Sequence, residues 1–156
     1  MPEIQLSKHF TLQELCKSHE AIRHGIDNLA SDRTTIANLR AVAQEILEPI
    51  REAFGVAFSP QSGYRGPVLN SVVGGSAKSQ HMTGEAVDIE LPTVDNLALA
   101  RWIQKNLDYD QLILEFHKSG APGSGWVHCS LRRAGGNRAE ALTTADGRVF
   151  DRGLVA

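Results

Sequence analysis

The sequence predicts an α+β fold, in which helices pack against a small and mainly antiparallel sheet. Two stretches have the apolar spacing of amphipathic helices, residues 32–53 and 95–106. Two short runs alternate between apolar and polar residues as half-buried strands do, residues 85–91 and 126–131, and residues 112–116 form a short apolar run typical of a buried strand. The length of 156 residues suits one compact unit, so we expect a single domain over residues 1–156.

The helices have recognisable starts and stops. A short helix is expected over residues 11–17, because a threonine followed three residues later by a glutamate forms a capping-box pattern. The longest helix is expected over residues 32–53, with Gly55 as its C-terminal stop. Its apolar stripe predicts a face buried in the core, formed by Ile36, Leu39, Val42, Ala43, Ile46, Leu47 and Ile50.

Two further strand regions complete the predicted sheet. Residues 56–59 are expected to form a strand that leads into Ser62-Gly63-Tyr64-Arg65. Near the C-terminal end, residues 142–144 and 149–150 flank Asp146-Gly147, a dipeptide typical of tight hairpin turns.

Two histidines and one aspartate form a candidate metal site. His81 precedes Asp88 by seven positions, and Gly84 between them allows the chain to turn back. Asp88 lies on the polar face of its strand, and His128 lies on the polar face of the last alternating run. Two imidazoles and one carboxylate are a common ligand set for catalytic zinc. Spacing alone leaves open a structural alternative. In this alternative His81 caps a loop, Asp88 pairs with a lysine or arginine, and His128 is a core histidine whose hydrogen bonds are satisfied.

Composition excludes several classes of function. The formal net charge is −2 and no run of lysine or arginine exceeds two residues, so we expect no nucleic-acid partner. No apolar run is long enough to insert in a membrane. The first residues lack the pattern of a signal peptide, so we expect synthesis in the cytoplasm. We also expect a monomer.

The residues around the metal site follow a longer pattern, Ser-x-His-x-x-Gly-x-Ala-x-Asp followed by Trp-x-His. The residues that match it are Ser79, His81, Gly84, Ala86, Asp88, Trp126 and His128. Further matches are Ser62-Gly63-Tyr64-Arg65, Asn70, Gly74-Gly75, residues 110–116, residues 6–15 and Asn137-Arg138. The chain thus resembles, over nearly its whole length, the zinc DD-peptidase superfamily that shares its fold with the Hedgehog signalling domain.

The resemblance implies one zinc ion, held by His81, Asp88 and His128. It also implies that Arg65 lies in the pocket, where it binds a substrate carboxylate or polarises the scissile carbonyl. Ser79 and Gln80 are then candidates for hydrogen bonds that support the ligands, although both are equally compatible with an ordinary loop.

The position of the general base in this sequence differs from its position in part of the family. Several members place the catalytic acid three residues before the last histidine ligand, where this chain has Gly125. We expect Glu115 to be the base, because a carboxylate within an apolar strand is costly unless it is paired or functional. A structural salt bridge or an exposed edge position is the open alternative for Glu115, and Asp110 and Glu85 are reserve candidates.

Two more side chains are expected near the cleft. Trp126 shares a face with His128 and is expected to line the substrate groove. His117 shares a face with Glu115 in the alternating pattern and is a candidate for oxyanion contact. The alternative for His117 is a surface histidine beside the polar loop that follows it.

The resemblance implies a zinc metallopeptidase that hydrolyses peptidoglycan stem peptides with a zinc-activated water. It leaves open whether the enzyme is a DD-carboxypeptidase, an L-alanyl-D-glutamate endopeptidase or a DD-endopeptidase. The small size and the missing export signal favour a phage or prophage endolysin, which acts on the cell wall after release. The alternative is a non-catalytic, zinc-containing binding module, since Hedgehog keeps a zinc site and acts by binding partners.

Overall fold

A computed structural model describes residues 2–155 of the chain. The α-helices, in chain order, are α1 (Leu12–Cys16), α2 (His19–Arg23), α3 (Arg33–Val42), α4 (Glu48–Phe54), α5 (Pro67–Val72) and α6 (Asn96–Asn106). A π-helical segment, Ala43–Leu47, joins α3 to α4, and a 3₁₀ turn covers Gln80–Thr83. The strands are β1 (Ala86–Ile89), β2 (Gln111–Glu115), β3 (Trp126–Ser130), β4 (Glu140–Thr144) and β5 (Asp151–Arg152).

The five strands form one sheet in the order β1-β3-β2-β4-β5. Three of the neighbouring pairs are antiparallel, and only β2 and β4 run parallel. The predicted α+β architecture with a small, mainly antiparallel sheet is therefore confirmed.

The predicted long helix is confirmed, although it is not uniform. Asp32 caps α3 by accepting a hydrogen bond from the Thr35 amide, and Gly55 ends α4 in the left-handed region with φ of 66°. The π-helical segment lies just before Pro49, which has no N–H to donate to the carbonyl of Glu45. A continuous helical path over residues 33–54 thus accommodates a proline by widening one turn.

One face of the sheet and the long helix enclose the apolar core. Alternate strand residues point into it, and they include Val87, Ile89, Leu112, Leu114, Val127 and Cys129, which are all fully buried. Helix α6 packs on β2 and β3, and α3 packs on α1 and β1. The polar residues between these apolar positions consequently face away from the core, and they build the site.

Two strand predictions are wrong. Residues 56–59 form no strand; pairing begins at Gln61 and Ser62, which exchange backbone hydrogen bonds of 2.8 Å with Asp88. Residues 149–150 are also not a strand, because the Asp146 carboxylate accepts the amide of Val149 and holds it in the turn. The returning strand, β5, begins two residues later.

Helices α2 and α5 lie outside the sequence predictions. Both are shorter than two full turns, and their sequences carry no apolar stripe that a period of 3.6 would reveal. Within residues 2–155, no helix has the length and apolarity that crossing a bilayer requires.

Candidate metal centre and cleft

Strand register brings the polar side chains of three strands together. Asp88 on β1 lies directly opposite His128 on β3. On the other side of β3, Ile113 of β2 is opposite His128, and Glu115 is opposite Trp126. Since opposite residues in an antiparallel pair share a face, all five side chains lie on the sheet face that is turned away from the core.

His81 reaches this face from the 3₁₀ turn that precedes β1. Ser79 caps the turn by accepting a hydrogen bond from the His81 amide. Gly84 closes the turn with φ of 75°, and a Cβ there would lie 2.8 Å from the carbonyl oxygen of Thr35 on α3. Only glycine satisfies both demands, so this residue lets the turn pack against the long helix.

The orientation of the His81 ring is fixed by a backbone carbonyl. Nδ1 of His81 lies 2.8 Å from the carbonyl oxygen of Gly63. A carbonyl only accepts hydrogen bonds, so Nδ1 carries the proton and Nε2 keeps its lone pair. Nε2 in turn lies 3.3 Å from Oδ2 of Asp88.

The three predicted ligands converge on one point. Nδ1 of His128 lies 3.0 Å from Oδ1 of Asp88, and the rings of His81 and His128 have centroids 5.2 Å apart. One ligand atom from each residue lies within 4.8 Å of the other two. Two ligands about 2.1 Å from a tetrahedral zinc ion are about 3.4 Å apart, so this donor set fits zinc in both type and spacing.

The charges within this triad are strongly coupled. Burial by itself would raise the pKa of Asp88, but the two histidines hold it well below its usual range. Burial by itself would lower the pKa of His128, but its hydrogen bond to Asp88 and the negative charge of that carboxylate raise it overall. The carboxylate is therefore ionised, which is the form that binds a metal cation.

The triad lies in a polar cleft of about 490 Å³. The residues that line this cleft are Arg65, Ser76, Lys78, Ser79, Gln80, His81, Asp88, Gln111, Ile113, Glu115, Trp126, His128 and Arg138. Of the nine predicted site residues, the structure brings eight to the cleft, and His117 is the exception.

Glu115 lies in this cleft at the end of β2, close enough to the triad to interact with its charges. Burial is the main cause that raises the pKa of Glu115, and the negative charge of Asp88 raises it further. The positive charge of His128 partly opposes this shift. Within residues 2–155, Glu115 forms no salt bridge with a lysine or arginine. The structure therefore does not support a structural salt bridge as the role of this residue.

Trp126 lines the cleft beside Glu115, as its register on β3 requires. Its indole ring contacts Phe116, with ring centroids 5.0 Å apart. The indole Nε1 is buried, approaches Glu115 and tends to lower the pKa of that carboxyl, although no acceptor meets hydrogen-bond geometry. This N–H group therefore faces the Glu115 carboxyl and favours its ionised form.

Gly125 cannot carry the acid that part of the family has at this position. Its φ is 69°, and a Cβ would lie 1.9 Å from the carbonyl oxygen of Glu115. The backbone of the loop before β3 therefore passes too close to β2 for any side chain. The further carboxyl group that lines the cleft with the triad is instead supplied by Glu115, from the neighbouring strand.

His117 does not reach the cleft because the strand alternation ends at Phe116. Phe116 has φ of 57°, a left-handed conformation that turns the chain out of the sheet. Nδ1 of His117 lies 3.2 Å from the carbonyl oxygen of Ser124, and Nε2 lies 3.7 Å from Asp95. His117 is buried against the loop before β3 rather than exposed to substrate or at the surface.

The two reserve bases are engaged elsewhere. Asp110 is almost fully buried and accepts hydrogen bonds from Gln80 and Arg138. Glu85 accepts a hydrogen bond of 2.5 Å from the Thr83 hydroxyl and does not line the cleft. Gln80 therefore supports the His81 turn through Asp110, not through a ligand.

Sequence patterns missed four residues that line the cleft. Gln111 follows the same alternation as Ile113 and Glu115, so the signal was available in the strand pattern. Ser76 and Lys78 lie on a loop and Arg138 lies before β4, and no local pattern relates these positions to the metal ligands.

Two imidazoles, a carboxylate and the nearby carboxyl group of Glu115 in one polar cleft are the groups typical of metal-dependent hydrolases. The chain matches the family model described as Peptidase M15 over residues 8–130, which is most of its length. It therefore belongs to the peptidase M15 family, whose members are zinc-dependent peptidases. No curated protein matches the chain significantly.

Proposed function

We propose that this peptidase hydrolyses peptide bonds in the stem peptides of peptidoglycan. The observation that carries the proposal is the joint position of His81, Asp88, His128, Glu115 and Arg65 in one cleft. This set contains a complete zinc ligand triad, a base and a cation, which are the groups that zinc-dependent peptide hydrolysis requires.

One zinc ion would be held by Nε2 of His81, the Asp88 carboxylate and Nδ1 of His128. When bound, zinc supplies Lewis acidity, which lowers the pKa of water toward about 7 and polarises a peptide carbonyl. The carbonyl of Gly63 keeps the His81 ring in the tautomer that leaves Nε2 for the metal.

Glu115 acts as the general base and then as the general acid. Its carboxylate takes a proton from the attacking water, and later gives that proton to the leaving amine. Its raised pKa suits both roles, because a base whose pKa lies nearer neutrality returns the proton more readily. The Trp126 indole N–H beside it favours the ionised form of this carboxyl.

Arg65 supplies the positive charge that recognises the substrate. Its guanidinium lines the cleft, and its charge is felt by both Asp88 and Glu115. Stem peptides carry free carboxylates, and a guanidinium binds a carboxylate through two parallel hydrogen bonds. Lys78 and Arg138 add two cationic side chains to the same cleft, which makes it complementary to an anionic peptide.

The finer activity is that of a DD-carboxypeptidase, an L-alanyl-D-glutamate endopeptidase or a DD-endopeptidase, with an endolysin as the biological setting. In that setting the protein is a monomer that acts on the cell wall after release. The new chain termini that it generates distinguish these activities.

Digestion of purified peptidoglycan tests the proposal. The zinc-loaded protein is incubated with and without chelator, and the released fragments are identified by mass spectrometry. We expect chelator-sensitive release of peptides, with a single type of new terminus, and none from a His128→Ala variant. If a protein that holds one zinc ion per chain releases nothing, the proposal is wrong and a binding module explains the site better.

A further inference from the structure

We infer that Asn70 is a positioning residue for Arg65: it fixes the guanidinium in the cleft so that Arg65 can bind the substrate carboxylate. The inference rests on the proposed function, because it gives Arg65 a substrate to bind. Its basis is the set of hydrogen bonds made by the buried Asn70 side-chain amide, none of which involves a metal-ligating atom.

The environment of Asn70 is unusual for its helix. Helix α5 has only six residues, and Val68 and Val72 on it are both exposed. The buried members of the helix are Leu69 and Asn70, which is 4% exposed. A polar side chain that is buried while apolar neighbours are exposed must be held by specific hydrogen bonds.

Each hydrogen-bonding group of the Asn70 amide has a partner. Oδ1 accepts a hydrogen bond of 3.0 Å from Nε of Arg65. Nδ2 donates to the carbonyl oxygens of Gly75 at 3.3 Å and Ser76 at 3.0 Å. Because the two N–H groups are committed to carbonyls, the amide cannot flip, and Oδ1 stays directed at Arg65.

The neighbouring loop is shaped around this amide. A Cβ at Gly75 would lie 2.1 Å from Oδ1 of Asn70 and 3.1 Å from Nη2 of Arg65. The amide of Gly75 also donates to the Asn70 carbonyl at 2.9 Å. A glycine is therefore needed at this position so that the loop can close over the contact between Asn70 and Arg65.

Arg65 is held at three points, and one part of its guanidinium remains open. Its amide donates to the His81 carbonyl at 3.0 Å, Nε donates to Asn70, and Nη2 donates to Oγ of Ser79 at 3.3 Å. Within residues 2–155, Nη1 makes no hydrogen bond. Fixing Nε and Nη2 orients Nη1 before substrate arrives, which lowers the entropy cost of binding.

A double-mutant cycle separates positioning from general stabilisation. Turnover of a stem peptide with a free carboxylate is measured for wild type, Asn70→Ala, Arg65→Ala and the double variant. We expect Asn70→Ala to lower kcat/KM about 10-fold and Arg65→Ala about 100-fold, as the loss of charged hydrogen bonds predicts. The double variant is expected to equal Arg65→Ala alone.

Two additional measurements make the result specific. With a substrate whose carboxylate is amidated, Asn70→Ala is expected to cleave as fast as wild type. Asn96→Ala is the control, because Asn96 is a buried asparagine that contacts Ser124 and Gly125 and not Arg65. Its effect should add to that of Arg65→Ala.

If Asn70→Ala does not fold, Gly75→Ala serves in its place, because its Cβ displaces the Asn70 amide. Additive effects of either variant with Arg65→Ala would overturn the inference and leave the proposed function standing. An Arg65→Ala variant with unchanged kcat/KM would overturn the inference together with the role of Arg65, while cleavage by wild type would still support a peptidase.

Discussion

The three proposed metal ligands are individual residues whose removal has a direct chemical readout. His81 and His128 each supply one nitrogen to a site in which the donor atoms already lie within 4.8 Å of each other. His81→Ala and His128→Ala are each expected to lose stoichiometric zinc, because two ligands bind it far more weakly than three. Metal analysis after gel filtration measures this.

His117→Ala is the matched control for the ligand variants. This histidine is bonded to the loop before β3 and lies outside the cleft. It is expected to keep one zinc ion per chain. Zinc retained by both ligand variants, or lost equally by His117→Ala, would contradict the assignment of the ligands.

Gly125 stands where part of the family has its catalytic acid. Placing a glutamate there would restore the spacing of other family members, but a Cβ would lie 1.9 Å from the Glu115 carbonyl oxygen. We expect Gly125→Glu to lower the free energy of unfolding by about 2 kcal/mol, from backbone strain at positive φ, and to lower activity. Urea unfolding measures the former. A stable and more active variant would show that the loop can relax.

At the scale of single elements, local rules account for what was predicted well. The capping residue Asp32, the apolar stripe and Gly55 all lie within the helix itself, so a local pattern sufficed to place residues 33–54. The alternation of β2 likewise placed Glu115 in the cleft. The alternation rule failed two residues later for His117, because the positive φ of Phe116 ends the strand.

The cap of the long helix gives a prediction that belongs to this scale. Asp32→Ala removes the acceptor for the Thr35 amide and should lower the free energy of unfolding by about 1 kcal/mol. Zinc content and kcat/KM should stay unchanged, since the helix remains packed against the core. Loss of zinc in a folded Asp32→Ala protein would show that the helix start and the metal site are coupled.

At the scale of the whole molecule, the buried carboxylate of Asp110 connects segments that are distant in sequence to the candidate metal site. Asp110 at the start of β2 accepts hydrogen bonds from Gln80 beside His81 and from Arg138 near β4. Arg138 lies beyond residues 8–130, so the segment outside the family match helps to build the cleft. The family pattern includes both Asp110 and Arg138, but no local periodicity shows that they meet, because their contact depends on the packing of the complete fold.

This network makes stability depend on pH. Burial would raise the pKa of Asp110, but its hydrogen bonds to Arg138 and Gln80 hold it below the usual value. The contribution to stability is therefore present above the pKa of the unfolded chain and is lost as the pH falls through the folded value. Asp110→Asn should lower the free energy of unfolding by about 2 kcal/mol at pH 7 and flatten its fall in acid. The free energy of unfolding is measured at several pH values for wild type and Asp110→Asn. An equal fall of this free energy in acid for the two proteins would contradict the prediction.

The central claim is that Glu115 provides the base that Gly125 cannot provide. The most direct measurement is turnover of a stem peptide by zinc-loaded Glu115→Gln, with its zinc content determined on the same sample. We predict one zinc ion per chain and a kcat about 10²- to 10⁴-fold below wild type, because the amide binds in the same space but cannot accept a proton. Near-normal turnover with zinc in place would contradict the account.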